Sequence, residues 1–583
     1  MPILSYMLFL FTAVCFAQDQ TAATQPQTPA QEPASLEGKV VSATGGQPVK
    51  KVNLTLRPMG AAKGESSQPY GTVSDAEGKF VFEAVEPGRY TLWADRSGYI
   101  RQSYGSKHET GRGTTLTLTA GQHMKDINFQ LTQQGSISGK VLDEDGDPVG
   151  RTQVQVMQMG YQKGKRGPTL RRGGMTDENG EFKLGNLAPG RYYLCSGSPM
   201  GTMGHESTRS ASADPHKANA PREDFAPTCY PNANDAAGAA PIDVVAGRDV
   251  PGLEIHLHKS LVVRVKGQLA GEIPGHPYDQ IQVSLQSAGP VSGLLSSFGG
   301  NADKKGNFEI ASVHPGSYRL TAALSHGAYQ VLSTQPLEVG DEDVKDVVFR
   351  LIPAADLKGR VVVEGQKSAS AQQNEAQDAA SGQSAKPQRS MQVQFYSNEG
   401  VYLGNPSTIV ADDGTFTIPN VVPGKYGMSV YPLPEGAYEK SVRVGEQEMP
   451  AHAIDLSGGV AGELQVYLKM SAGEVDGTVH DENSQPAFGA LVTLVPDPPN
   501  PEQEQRYHTA NTDQNGSFKV KNVAPGSYRV FAWEDLESGA QYDPDFLKPF
   551  GSQSERVTVD ENSRAQVNLT RIAATEVEAA KAK

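Results

Sequence analysis

The sequence predicts an all-β protein, a tandem array of about five antiparallel β-sandwich modules of roughly a hundred residues each. Three observations predict it. The 583 residues include 62 Gly and 39 Pro and no sustained 3.6-residue apolar period, which suits short strands joined by turns. A turn-rich block recurs five times along the chain. Each recurrence is followed by an apolar-polar alternation, such as Asp126 to Leu131, Gly252 to Leu257 and Asp346 to Leu351, which reads as a closing strand with one buried face.

The block is Asp-x-x-Gly-x-Phe followed by Pro-Gly-x-Tyr. Its first half falls at Asp75 and Gly78, Asp177 and Gly180, Asp303 and Gly306, and Asp513 and Gly516, with a compressed copy, Asp412-Asp413-Gly414. The second half falls at Pro87-Gly88, Pro189-Gly190, Pro315-Gly316, Pro423-Gly424 and Pro525-Gly526, nine residues from glycine to proline in every copy. Asp can hydrogen-bond its own turn backbone and Gly can take the left-handed conformation, so a β-hairpin is expected there. Phe80 and Phe82, and their counterparts, are two apart and share the core face of one strand. Pro-Gly suggests a type II turn, and Tyr90, Tyr192, Tyr318, Tyr426 and Tyr528, placed just after it, suggest packing rather than binding.

Upstream, a Gly-x-Val-like segment opens each module at Gly38, Gly139, Gly267, Gly359 and Gly477, at 40, 41, 39, 55 and 39 residues from the turn glycine. The modules are expected at 35–132, 135–259, 261–352, 355–470 and 473–571, with few-residue linkers that favour a semi-rigid rod. The excess length of the fourth is the Ala, Gln and Ser run 366–390, read as a disordered loop. Residues 1–17 read as an export signal, with apolar Ile3 to Phe16 ahead of Ala17, although its start lacks Lys and Arg. The segment before Cys15 is a poor match to a lipidation site. Residues 18–34 read as a disordered tether and 572–583 as a mobile tail.

Of three cysteines, Cys195 and Cys229 fall within the second module's long insertion and are expected to pair, because exported chains meet oxidising conditions. A balance of 52 basic and 66 acidic residues gives a net charge of -14, which argues against nucleic acid as a partner. No stretch of the mature chain reaches the roughly 18 apolar residues of a spanning helix.

These motifs resemble the carboxypeptidase regulatory-like domain, and the resemblance covers nearly the whole mature chain. It implies a transthyretin-like (Ig-like) sandwich, similar to collagen-adhesin B repeats and grouped under a carbohydrate-binding-like fold. Such domains accompany peptidases, receptors, adhesive stalks and glycan-active enzymes, so the resemblance specifies fold more than function.

Catalysis finds no candidate residues. None of the twelve histidines has Glu three residues on, as a zinc carboxypeptidase would need. His256 and His258 share a strand face without a third ligand. Asp143 to Asp147 resembles a calcium loop, but its glycine comes too early and Val154 stands where the bidentate Glu belongs. No cofactor and no metal is expected. What remains is binding, with glycans or envelope proteins as partners. Sugar recognition would use aromatic platforms, for which Trp93, Tyr99 and Tyr104 in the first module and Trp533 and Tyr542 in the fifth are the candidates. Both tryptophans lie at odd offsets from the preceding Tyr and so on the opposite strand face. The favoured alternative is that these rings pack under long loops or against a neighbouring module. An exported glycan-binding protein is thus the leading expectation, ahead of a structural spacer or adhesive stalk and of an accessory subunit for a separate peptidase or glycosidase. Internal isopeptide bonds would need a Lys converging on an Asn or Asp in a core.

Overall fold

A computed structural model describes residues 32–581 apart from 60–67, 107–112, 200–221, 235–237, 288–296, 325–329, 365–389, 398–404 and positions 163, 274, 452 and 461. The export signal lies outside the described residues, as does the expected loop 366–390 apart from Ser390. Of the expected tether, Glu32 to Ala34 are described, and Ala34 already begins the first strand with its side chain fully buried.

The chain is a series of two-sheet β-sandwiches, each built around its own apolar core. In the first module the opening strand Ala34–Ser42 pairs antiparallel with Lys79–Val85 and parallel with the closing strand Phe129–Leu131. In the fifth, Gly473–His480 pairs antiparallel with Ser517–Val523 and parallel with Arg564–Thr570. In every module the opening strand thus pairs in parallel with the closing segment, in the first with both His123–Met124 and Phe129–Leu131, and the other pairs are antiparallel. The opening glycine has a steric reason. A Cβ built on Gly38, Gly139 or Gly477 would stand 1.8 Å from a carbonyl oxygen in or just ahead of the closing strand, that of Ile127, Leu253 or Val567. Only hydrogen fits in that space.

The repeated block forms corners rather than the expected hairpin. Tyr70–Val73 before the first Asp turn lies in one sheet and Lys79–Val85 after it lies in the other. The Pro-Gly corner then returns the chain to the first of these sheets, with Gly88–Asp95 pairing to Asn53–Pro58. The constant nine-residue offset is thus the length of one strand with a sheet switch at either end. At the first corner Gly78 has φ of 76°, and Asp75 Oδ1 accepts from the N–H groups of Glu77 and Lys79 at 3.0 and 2.7 Å. The same pair of bonds recurs at Asp177, Asp303 and Asp513, whereas the compressed fourth turn uses Asp413 and Thr415 alone.

The second corner is not a type II turn. Gly190, Gly316 and Gly526 have φ of 155°, 157° and 151°, far from the roughly +80° that turn requires. The left-handed residue instead lies three positions before the proline, at Asn186, Ser312, Asn420 and Asn522, with φ between 54° and 61°. Each tyrosine then ties the corner: its hydroxyl donates to the carbonyl four residues earlier, from Tyr90 to Glu86 at 2.6 Å through to Tyr528 and Ala524 at 2.7 Å.

Two expectations about the chain's course need correction. The mobile tail is instead the helix Ala574–Lys581, with Ile572 and Val577 buried at 1% and 2% exposure. A second, partly helical segment, Ala540–Tyr542, Pro544–Leu547 and Lys548–Gln553, lies on the same outer face. The rod is replaced by a fold-back: the fifth module touches the first, second and fourth. Tyr104 lies 5.5 Å from Phe488, Tyr161 lies 5.8 Å from Phe546, and the Asn522 amide donates to the Pro434 carbonyl at 3.0 Å. A rod would leave rings such as Tyr161 and Phe488 in water, whereas here both are half-buried, which supports the folded-back course.

The second module's insertion bonds Cys195 to Cys229. It also adds Arg222–Phe225 to the third module's opening strand Lys259–Ala270, an unforeseen link fastened by the Phe225 carbonyl and His314 Nε2 at 3.2 Å. Among the described residues no lysine is buried in a core, so none of these cores holds the lysine an isopeptide would need.

Candidate functional site

The five rings singled out in the sequence fall into different surroundings. Trp533 is 0% exposed, on the outer face of its strand but covered by the helical segments; its Nε1–H donates to Thr493 Oγ1 at 2.9 Å and its ring stacks on Phe531 at 5.3 Å. No sugar could reach it, and it is removed as a platform. Tyr542 is likewise corrected: its ring lies 4.8 Å from Tyr507 and packs against the same second core. The physical reason is the helical cap, which supplies Phe546, Leu547, Phe550 and Val577 to cover an apolar outer face.

In the first module, Tyr99 accepts a hydrogen bond from the Gln133 amide at 3.4 Å and lies under Arg96. That places it at the boundary with the second module. Trp93 is half-buried on the outer sheet face, opposite Thr55, with the Arg101 guanidinium 4.8 Å over its ring, an arrangement favoured by the ring's negative face. Tyr104 is the candidate that enters a concavity.

That concavity is a cleft of about 370 Å³ between the first and fifth modules. Its apolar floor is Tyr104, Leu116, Met124, Ile127 and Phe488, and its polar margin is Gln122, His123, Lys125, Asp126 and Gln514. The Tyr104 ring is held at 5.6 Å from Phe129 on one side and 5.5 Å from Phe488 on the other, and burial raises its phenol above the ordinary range. The strand through His123 is fixed by its Nδ1 and Ser35 Oγ at 2.6 Å. The modules are tied beside the cleft by the Asn511 amide, which donates to the Gly113 carbonyl at 3.3 Å. At the same contact, Thr114 Oγ1 is buried without a hydrogen-bond partner among the described residues.

Sequence reasoning missed Phe488 and Gln514. One signal was present: after the Pro-apolar pair that follows the opening strand, modules one and two carry Lys50 and Gly150, while module five carries Phe488. An aromatic ring at an otherwise hydrophilic turn position marks a surface awaiting a neighbour.

The cleft offers stacking surface and hydrogen-bonding groups of both polarities, which suits recognition. Among the described residues, no three His, Cys, Asp or Glu side chains are grouped to hold a metal ion. His256 Nε2 contacts only Glu254, at 3.7 Å, among the ion pairs. Asp143 spends its carboxylate on the N–H groups of Asp145 and Asp147, an Asx turn rather than a cation loop. Burial perturbs titratable groups elsewhere as well: it pushes Glu439 up to about 7 and, with a contribution from Arg506, His508 down to about 4.

Residues 35–132 and 474–570 match the carboxypeptidase regulatory-like domain. No curated protein sequence matches the chain. Among solved structures, the minor pilin GBS52 of Streptococcus agalactiae is 13% identical, with 42% of this chain and 100% of that one covered at a TM-score of 0.22. Two B repeat units of the collagen-binding protein of Staphylococcus aureus are 13% identical over 76% of this chain and 100% of theirs, at 0.13. A protein of Bacteroides uniformis described as carbohydrate binding is 12% identical over 28% and 89%, at 0.14. Likeness at these scores carries no functional argument.

Proposed function

From a chain whose first and fifth modules are carboxypeptidase regulatory-like domains, we propose an exported, non-enzymatic protein of the cell envelope or exterior that binds carbohydrate in the cleft between those two modules. Export is supported by the leader-like start and by the disulfide, a bond that persists in oxidising compartments. The observation that carries the binding reading is the pair of rings, Tyr104 and Phe488, at the floor of a concave site. Ring faces stack on the C–H faces of sugars, while Gln122, Lys125, Asp126 and Gln514 can meet their hydroxyls. The stalk reading is less supported, because a chain that folds its first module onto its fifth gains little reach from five modules.

The test is a glycan screen of the full chain beside a Gln122→Ala, Lys125→Ala double variant, which changes the cleft margin and leaves the Tyr104 and Phe488 rings in place. Loss of binding by about tenfold or more, equivalent to ~1.4 kcal/mol, is expected in the variant. A wild-type chain that binds no glycan overturns the reading.

A further inference from the structure

The fourth module carries a group of surface side chains that the fold does not use. Tyr431 and Ile409 are 69% and 59% exposed. Both lie directly across from Gln392, Tyr431 on the neighbouring strand Lys425–Tyr431 and Ile409 on Ser407–Ile409. The three side chains make one row across the sheet, with the outer two about 9–10 Å apart, twice the usual strand spacing. Two residues along each strand, the next row on the same face is Ser407, Gln394 and Ser429, all exposed. None of these four polar side chains is hydrogen-bonded among the described residues. Neither row contains Asp, Glu, Lys or Arg, although those residues make up 20% of the chain and its net charge is -14.

We propose that this face binds a neutral, hydroxyl-rich polysaccharide. Tyr431 and Ile409 supply two apolar contacts for sugar-ring faces, and the amides and hydroxyls between them donate and accept hydrogen bonds with ring hydroxyls. Charge complementarity selects the occupant. A charged ligand would be desolvated here with no opposite charge to meet it, whereas a flat, uncharged, hydrogen-bonding surface matches an extended neutral glycan. The proposal rests on the carbohydrate reading above but uses a different module, so the two can fail separately.

Affinity electrophoresis of the full chain through gels containing amylose, hydroxyethyl cellulose or glucomannan tests it, with wild type, Tyr431→Ala, Ile409→Ser and the Gln122→Ala, Lys125→Ala cleft variant side by side. Tyr431→Ala is expected to weaken binding to a neutral polysaccharide about tenfold and Ile409→Ser less, with thermal stability unchanged and the cleft variant still retarded. Equal retardation of wild type and Tyr431→Ala overturns the proposal. With gels of anionic alginate and cationic chitosan run beside these, binding confined to the charged glycans and lost in the cleft variant also overturns it while leaving the carbohydrate reading standing, and no retardation in any of the gels overturns both. A concentration-dependent dimer abolished by Tyr431→Ala would identify a second copy as the occupant, against the proposal.

Discussion

The first and fifth modules each place a tryptophan on the outer side of the strand that follows the Pro-Gly corner, and the two rings meet opposite fates. Trp93 is half-buried under Arg101, while Trp533 is sealed beneath Phe546, Phe550 and Ile572. The sandwich is the same in both; the difference lies in residues beyond the repeat, the short helices between 540 and 553 and the helix Ala574–Lys581. Alternation along a strand decides which face a side chain joins. Whether that face meets water is decided by segments elsewhere in the chain.

The largest expected contrast is between Trp533→Ala and Trp93→Ala. The first removes a fully buried ring and should cost about 3–5 kcal/mol; the second should stay within about 0.5 kcal/mol. Urea unfolding monitored by circular dichroism reads both, and equal losses would break the comparison.

Next in size is the acid sensitivity that His508 gives the fifth module. His508 is held near 4 by burial, against about 6.5 when unfolded. Between those values the unfolded chain takes a proton that the folded chain refuses, so stability falls as pH drops from about 6.5 to 4. The loss attributable to His508 is on the order of 3 kcal/mol, read as the difference between wild type and His508→Gln across that range. Glu439 runs the other way. Its pKa of about 7 makes its contribution complete below about 4.5 and lost as pH rises through 7, so a Glu439→Gln variant should flatten that limb.

Ending the chain after Ala573 removes the burial of Val577 and should cost about 2 kcal/mol. It should also shift Trp533 fluorescence to the red and open the ring to acrylamide quenching. Unchanged fluorescence would show that the helix is not the lid. The smallest effect sharpens the comparison from its symmetric side. Tyr90→Phe and Tyr528→Phe each delete one hydroxyl-to-carbonyl bond and should each cost about 1 kcal/mol, measurable by the same urea titration.

The fold class was legible in the sequence because turn chemistry and alternation are local. Gly78 at positive φ beside an Asp that caps its own turn is a short-range arrangement, and five copies make it hard to miss. Which sheet a strand joins is not local. The nine-residue spacing locates a strand but cannot say that its two ends switch sheets, so corners were expected as hairpins. The opening glycine was visible as a residue and opaque as a cause, since the Ile127 carbonyl that crowds Gly38 is about ninety positions away. The cleft was half legible. Tyr104 stood among the aromatic candidates, but its partner Phe488 is a single residue whose meaning appears once the chain has folded back. The tail misled for the opposite reason: Val577 is one branched apolar side chain in an Ala-rich stretch, too little for a periodic signal, yet enough to close a cap.

The strand Arg222–Phe225, contributed by the second module to the third, bears on how the array comes apart. It pairs with Lys259 to Val262, ahead of the stretch of that strand where the third module's own partners begin, at Val263 and Val265. A fragment beginning at Lys259 would leave those N–H and C=O groups bare, an open margin of the kind that recruits foreign strands. Modules two and three are therefore expected to melt as one cooperative unit, and a cut between them to expose that margin.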